Sequence, residues 1–244
     1  MCIVNAFLCA ERGCNVKIIS SIKELTKFEI CLWIYSIIVV SGSYIFSGGF
    51  YWLTLVASLI GVTALIFVAK GNVLGQILSV IFSLAYAFVS FKFRYYGEMI
   101  TYLGMTTPIA LISIYTWIKN PYKDSSQVKV HKITLLQAVI ISITAIIVTI
   151  VFYFVLKMFN TANLIISTIS ITTSFTASLL MMLRSPYYAI AYGANDVVLI
   201  VLWVLASIED ISYLPMIMCF VMFLVNDIYG FISWKRMHKE QNMI

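Results

Sequence analysis

Hydrophobic positions along the chain form long runs that are separated by short polar stretches. Each run is about 20 residues long, which is what an α-helix needs to cross the roughly 30 Å hydrocarbon core of a bilayer. Apolar and polar positions do not alternate within the runs, so we do not expect a transmembrane β-barrel. The pattern predicts eight membrane-spanning helices, at about 28–46, 50–69, 73–92, 98–118, 134–156, 163–183, 186–207 and 212–234.

Six of these segments form an internal repeat. A shift of 114 residues aligns three segments with three others, namely 50–69, 73–92 and 98–118 with 164–183, 187–206 and 212–232. Three spans take the chain to the opposite side of the membrane, and one further span brings it back. The two bundles therefore enter the membrane in the same direction. We therefore predict an all-α integral membrane protein with a 3+1+3 parallel repeat, preceded by one extra N-terminal transmembrane helix.

This interpretation divides the whole chain. The basic segment between the halves contains Pro121 and four lysines, which is typical of a linker. The predicted parts are a cytoplasmic tail (1–27), an extra helix (28–49), a first bundle (50–118), a basic cytoplasmic linker (119–133), a linker helix (134–156), a second bundle (163–234) and a cytoplasmic tail (235–244).

Composition and charge narrow the class of protein. The chain is 62% hydrophobic and 11% charged, with a mean hydropathy of +0.99, whereas soluble domains have roughly 25% charged residues. The net charge of +6 reflects topology, because 13 of the 16 basic residues fall on one predicted side. The positive-inside rule then places both termini in the cytoplasm and the protein in the plasma membrane. We expect contact with anionic lipids and no binding of nucleic acid.

Sequence motifs for catalysis are missing from the predicted spans. The only histidines, His131 and His238, lie in the linker and the C-terminal tail. The chain has no HExxH, P-loop or dinucleotide-binding motif, and its five cysteines have no CxxC spacing. We therefore expect no enzyme activity, no cofactor, no metal, and no ATP-driven transport by this chain alone.

Carboxylates inside the spans indicate where a functional site lies. Insertion of an Asp at the middle of the membrane costs about 2.5–3.5 kcal/mol on insertion scales, so such residues are rare and are usually functional. Asp196 lies near the centre of the seventh span beside Asn195, and Asn226 and Asp227 repeat this pair in the eighth. We interpret Asp196 as functional, the alternative being structural hydrogen bonds. Asp227, nearer the cytoplasmic end, is predicted to be structural.

Other polar and aromatic positions add candidates to the same region. Tyr188, Tyr192 and Asn195 are four and three residues apart, so they share a helix face. The sixth span has serines on one face, which indicates either close helix packing or a polar pathway. Pro108 is predicted to kink the fourth span around 104–107.

Several short motifs follow one another in a set order between residues 50 and 236. They are 70–75 (KGNVLG), 95–98 (YYGE), 115–117 (YTW), Arg184, Asn195 and 226–235 (NDIYGFISWK). In their order and spacing the chain resembles the PnuC-type vitamin transporters, distant relatives of the SWEET sugar transporters. The resemblance implies the 3+1+3 fold, a homotrimer, and facilitated diffusion of nicotinamide riboside, which a cytoplasmic kinase then traps by phosphorylation.

The implied substrate is a pyridinium cation on a ribose, so its site needs aromatic faces, amides or hydroxyls, and Asn or Asp groups. We predict that one wall of this site includes Tyr188, Tyr192, Asn195, Asp196 and Asn226. The other wall is predicted to include Asn72, Gln76, Tyr86 and Tyr115.

One departure from the family pattern leaves the substrate open. Family members typically carry a WxxW pair on the helix that bears Asn195, and this chain has YYAIAY at 187–192 instead. Thiamine, riboflavin or a deoxynucleoside are alternative substrates. Two further hypotheses are a ligand-binding membrane partner that does not transport, and a proton-coupled transporter, which Asp196 would favour.

Overall fold

The computed structural model describes residues 24–48, 52–92, 95–123, 125–161 and 163–243. Within these ranges it contains eight helical segments that are long and apolar enough to span a membrane, as predicted. The predicted N-terminal tail lies outside the described residues as far as residue 23. The helices are α1 (Lys27–Phe46), α2 (Trp52–Ala69), α3 (Val73–Lys92), α4 (Tyr96–Thr101), α5 (Thr107–Ile118), α6 (Leu135–Met158), α7 (Leu164–Met182), α8 (Tyr188–Glu209) and α9 (Leu214–Asn242).

Six of the spans form a closed ring. Around it, α2 packs on α3, α3 on α4 and α5, α5 on α7, α7 on α8, α8 on α9, and α9 back on α2. The other two spans lie outside the ring, with α1 against α2 and α9, and α6 against α7. The prediction of an all-helical membrane protein is confirmed. The ring surrounds an interior space, and the candidate functional site described below lies there.

The fourth span changes its helical geometry in the middle. Residues Tyr102–Thr106 form a π-helical segment between α4 and α5. Pro108 follows two residues later and lacks an N–H, so it cannot donate to the preceding turn. The Thr107 hydroxyl donates to the Tyr102 carbonyl over 2.7 Å and satisfies an oxygen in the widened turn. The irregularity thus lies where Pro108 was expected to kink the span.

The linker packs against one end of the ring, which we call the linker end. The Val128 N–H donates to the Gly71 carbonyl over 2.9 Å. Gly71 has a φ of +66°, which glycine adopts without strain. Helix α9 continues beyond its predicted span to Asn242, and the Gln241 amide donates to the Val128 carbonyl over 3.1 Å. The predicted C-terminal tail therefore begins as helix and holds the linker in place.

Helix α1 is attached to the ring by polar contacts at its N-terminal end. Thr26 and Glu29 form a capping box, with the Thr26 N–H donating to Glu29 Oε2 over 2.6 Å. The same carboxylate accepts from the Tyr229 hydroxyl over 2.6 Å and lies 3.3 Å from Lys70 Nζ. Glu29 is 1% exposed, so this ion pair is sheltered from solvent. The extra helix is therefore anchored to both α2 and α9.

Substitution of Gly75 by Ala is expected to weaken the contact between α2 and α3. A Cβ at this position would collide with the backbone N of Val68 and lie 2.9 Å from the backbone C of Phe67. Backbone atoms cannot rotate away, so the two helices must separate. Overpacking of this kind costs about 1–3 kcal/mol. Thermal unfolding in detergent measures the loss, and Gly104→Ala is the control because its Cβ would meet nothing within 4 Å. Equal melting temperatures of the two variants would contradict the prediction.

Candidate functional site

A cavity lies inside the ring, and all six spans of the ring contribute to its wall. Its volume is about 70 Å³, which leaves room for several water molecules at about 10–15 Å³ each. The polar part of the wall consists of Gln76, Ser79, Ser83, Tyr102, Thr106, Ser113, Ser174, Ser178, Tyr192, Asn195, Asp196 and Asp227. The apolar part consists of Leu65, Val68, Phe82, Ile109, Ala110, Met181, Phe220 and Phe223.

Two carboxyl groups meet on one side of the cavity. Asp196 comes from α8 and Asp227 from α9, and their side chains lie in hydrogen-bonding contact. They are 2% and 3% exposed, and Asp196 Oδ2 has no hydrogen-bond partner. None of the lysines or arginines in the described ranges lines the cavity. The wall therefore carries negative charge or a shared proton, without a basic side chain to balance it.

Hydroxyl groups of α7 orient the polar side chains of α8. Asn195 Oδ1 lies 2.9 Å from the Thr173 hydroxyl and 3.4 Å from the Ser170 hydroxyl, both of which can donate to it. The hydroxyls of Ser178 and Tyr192 are 3.0 Å apart. The serine face of this helix thus packs against α8 and also lines the cavity, which combines the two alternatives that the sequence left open.

The first half of the chain contributes an amide and hydroxyls to the opposite wall. Gln76 is 2% exposed, and its Nε2 has no hydrogen-bond partner. Ser83 and Thr107 place their hydroxyl oxygens 2.8 Å apart, which joins α3 to α5 beside the cavity. An unpaired buried amide costs roughly 1–3 kcal/mol. Such a group is satisfied when a ligand or a water molecule accepts its hydrogen bond.

Aromatic side chains pack together at the end of the ring away from the linker. The rings of Tyr86 and Tyr102 have centroids 4.3 Å apart, and Trp203 Nε1 donates to the Tyr86 hydroxyl over 2.9 Å. Tyr95 packs on Trp203 with a centroid distance of 4.9 Å, and Tyr213 packs on the same indole at 5.6 Å. We call these five residues the outer aromatic cluster.

A second aromatic group packs together at the linker end. Trp117 and Trp234 have ring centroids 5.5 Å apart, and Tyr188 lies 5.0 Å from Trp234. Both indole N–H groups donate to backbone carbonyls of neighbouring helices, that of Met181 at 3.2 Å and that of Val68 at 2.8 Å. These three aromatic residues form the linker-end cluster. Packed aromatic rings thus lie on both sides of the cavity, towards each end of the ring.

Of the nine predicted site residues, the structure brings four together. Those that line the cavity are Gln76, Tyr192, Asn195 and Asp196. Tyr86 and Tyr188 belong instead to the two aromatic clusters that close it. Asn72 is buried outside the cavity, where its Oδ1 accepts from the Leu74 N–H over 2.9 Å. This bond is a local cap at the start of α3.

Two predicted residues, Tyr115 and Asn226, face away from the cavity, contrary to the expected arrangement of the walls. Tyr115 is 47% exposed on the outer surface of α5, with Lys119 Nζ 5.6 Å from its ring centroid. Asn226 points towards α1 and donates to the Ser36 hydroxyl over 3.2 Å. The physical reason is helix rotation, because the face that turns inward is set by packing and not by the presence of a polar group.

Several cavity residues were not among the predicted site residues. Asp227 was interpreted as structural because it lies closer to the end of its span, yet it contacts Asp196 in the cavity wall. Tyr102 lies on the π-helical segment, where a simple helical pattern misplaces side chains. The repeated Asn-Asp dipeptide was the one signal that could have identified Asp227. No sequence signal distinguished Phe82, Phe220 and Phe223 from other apolar positions.

Comparisons with known proteins agree on one family. The model of the nicotinamide mononucleotide transporter family matches residues 51–236. The nicotinamide riboside transporter PnuC of Neisseria mucosa is 26% identical over 196 residues, covering 78% of this chain and 74% of the relative. The protein of the same name from Haemophilus influenzae is 22% identical over 193 residues, covering 78% and 82%.

A solved structure is similar over nearly the whole fold. The crystal structure of the vitamin B3 transporter PnuC superposes with a TM-score of 0.78 at 25% sequence identity. The match covers 89% of this chain and 94% of the other. The family match extends over more than half of the sequence, and the fold and the order of motifs agree with it. The chain belongs to the nicotinamide mononucleotide transporter family, as a PnuC-type member.

Proposed function

We propose that this protein carries nicotinamide riboside across the plasma membrane by facilitated diffusion. The observation that supports the proposal best is the polar cavity inside the six-helix ring, which has a packed aromatic cluster towards each end of the ring. A transporter that alternates its access needs a polar site near the middle of the membrane, with a closure on either side. The relatives named nicotinamide riboside transporter PnuC suggest the ligand.

The chemistry of the cavity wall matches that ligand group by group. Phe82, Tyr102 and Tyr192 offer aromatic surfaces to a pyridinium ring. The carboxyl groups of Asp196 and Asp227 supply the opposite charge. The amides of Asn195 and Gln76, with the nearby serine hydroxyls, can donate to and accept from the carboxamide and the ribose.

The membrane topology is part of the same proposal. We propose that both termini and the linker face the cytoplasm, since the basic residues gather at the linker end. The ring then divides into two parallel bundles, α2 to α5 and α7 to α9, with α6 as the connecting helix. Cytoplasmic phosphorylation of the arriving substrate by a kinase would trap it. The family resemblance also leads us to propose a homotrimer.

Uptake into liposomes that contain only this chain tests the proposal. We expect saturable entry of labelled nicotinamide riboside that stops when internal and external concentrations are equal. Enclosing a nicotinamide riboside kinase with ATP should raise the internal label above that level. Label that binds but never enters the lumen would indicate a receptor instead. Accumulation above the external concentration without a kinase, at equal pH on both sides and without a membrane potential, would contradict facilitated diffusion.

A different vitamin or a nucleoside is the second candidate, and the cavity wall provides the reason. No tryptophan is among the residues that line the described cavity, whereas phenylalanine and tyrosine are. These rings stack on a cation less strongly than an indole does, so they do not single out one heteroaromatic cation. Competition for labelled uptake by thiamine, riboflavin and deoxynucleosides distinguishes the candidates.

A further inference from the structure

The protonation of the carboxyl pair in the cavity would change when a ligand binds. Asp196 and Asp227 lie in contact, almost fully buried. Two carboxylates this close cannot both stay ionised in a low-dielectric interior, so one of them holds a proton that both share. Whether this proton is needed depends on whether a positively charged side chain lies near the pair.

Among the described residues, no positive group faces the pair from any helix packed against it. The titratable side chains that face it are Tyr102, Tyr188, Tyr192 and Cys219. The cavity-lining parts of α2, α3, α5 and α7 in the described chain contribute no titratable group. On α1, Glu29 is already paired with Lys70 at the linker end. Only a proton or a ligand can therefore neutralise the second carboxylate.

A second, independent observation indicates that this space is built for a ligand. Across the cavity from the pair, Gln76 is 2% exposed and its amide Nε2 has no partner. The hydroxyl of Ser174, also in the wall, is likewise without a partner. Buried donors are normally satisfied, so groups left unpaired around one cavity indicate a polar occupant. An acidic pair facing unpaired donors suits a cation that carries hydrogen-bonding groups.

We infer that the Asp196–Asp227 pair holds one proton in the empty site and releases it to water when an organic cation binds. The step balances: the O–H bond of the shared proton breaks, the proton leaves to solvent, and the single positive charge of the ligand replaces it. The net charge of the cavity is unchanged. The inference rests on the proposed function for the identity of the cation, and it adds that loading of the site is coupled to proton release.

The sign of the pH dependence follows from this exchange. Because binding releases a proton, a lower pH favours the empty, protonated pair. Below the pH at which the pair loses its shared proton, the Kd of the cation should rise about tenfold per unit of pH decrease. Binding of a neutral ligand such as nicotinamide should not depend on pH in this way.

The experiment measures proton release and binding together on the purified full chain in detergent. Nicotinamide riboside chloride or thiamine is added in weak buffer with a pH-indicating dye, and Kd is measured from pH 5 to 8. We expect up to one proton per bound cation with the wild-type chain. Asp227→Asn, which preserves shape but leaves one carboxyl, should release none and bind with a Kd independent of pH. Asp210→Asn is the matched control, because that aspartate is exposed.

A ligand-free measurement covers the case in which neither cation binds. The infrared carbonyl band of a protonated carboxyl should be present in the wild-type chain at neutral pH. It should be lost in both Asp196→Asn and Asp227→Asn and kept in Asp210→Asn. Glu98 is also buried, so Glu98→Gln assigns any band that belongs to it. A wild-type chain without a band from the pair overturns the inference.

The outcomes separate the inference from the proposed function. Binding of nicotinamide riboside without proton release overturns the inference and leaves the transport proposal standing. Binding of thiamine with proton release, and no binding of nicotinamide riboside, supports the inference and overturns the substrate. Proton release that Asp227→Asn leaves unchanged assigns the proton to another group and also overturns the inference.

Discussion

Asp196→Ala is expected to abolish uptake of the substrate while the protein still reaches the membrane. Asp196 lines the cavity, contacts Asp227 and is 2% exposed. Removal of the carboxylate that faces a bound cation in a desolvated site leaves that cation unpaired and costs about 2–5 kcal/mol, so uptake should fall by at least about 30-fold. The measurement is initial uptake of labelled nicotinamide riboside into proteoliposomes, normalised to the amount of inserted protein.

A matched change of the same residue type controls for the loss of an aspartate in general. Asp210 is exposed and lies between α8 and α9, where it accepts from the Ser212 N–H over 2.9 Å. Asp210→Ala should keep uptake within about twofold of wild type, since loss of a cap costs about 1 kcal/mol of stability and touches no cavity group. Normal uptake by Asp196→Ala would remove this residue from the transport site.

The helices were predictable from the sequence because a helix that spans the bilayer must be almost entirely apolar over its length. Runs of about 20 apolar residues rarely occur outside membrane-spanning helices, so the eight spans could be placed to within a few residues. The ends were less certain, and α9 shows why. Its helix continues to Asn242 because Gln241 and Met237 pack onto the linker, a tertiary contact that hydropathy does not contain.

The site was predictable in chemistry more than in geometry. The cost of a buried carboxylate identified Asp196, and helical spacing placed Tyr192 and Asn195 on its side. Tyr188 has the correct spacing for the same face, but it lies one turn closer to the linker end and packs on Trp234. Periodicity gives the face of a helix, whereas depth and rotation depend on how neighbouring helices pack.

The two aromatic clusters account for two predicted residues that do not line the cavity. Tyr86 and Tyr188 were chosen as aromatic residues inside spans, and each is at most 1% exposed within a closure. If the transporter alternates its access, one of these closures must loosen while the other stays packed. Cluster residues outside the cavity wall then affect the rate of opening, and residues of the cavity wall affect binding.

Trp234→Ala is expected to destabilise the folded protein by about 3–5 kcal/mol, the usual cost of removing a buried Trp side chain. Trp234 is 0% exposed, lies between Trp117 and Tyr188, and donates to the Val68 carbonyl over 2.8 Å. The cavity left in the linker-end cluster would free both neighbouring rings. We expect a marked fall in the melting temperature in detergent and a leaky closure.

Trp234→Phe separates the packing of the indole from its hydrogen bond. The phenyl ring keeps most of the aromatic contact but removes the indole N–H that donates to the Val68 carbonyl, which still accepts from the Gly71 N–H. The loss should therefore be about 0.5–1.5 kcal/mol. Uptake into proteoliposomes should remain measurable for Phe and become poor for Ala. Because the cluster lies outside the cavity wall, the Kd of the substrate should change little in the Phe variant. A weakened Kd with an unchanged melting temperature would instead place Trp234 in the binding site.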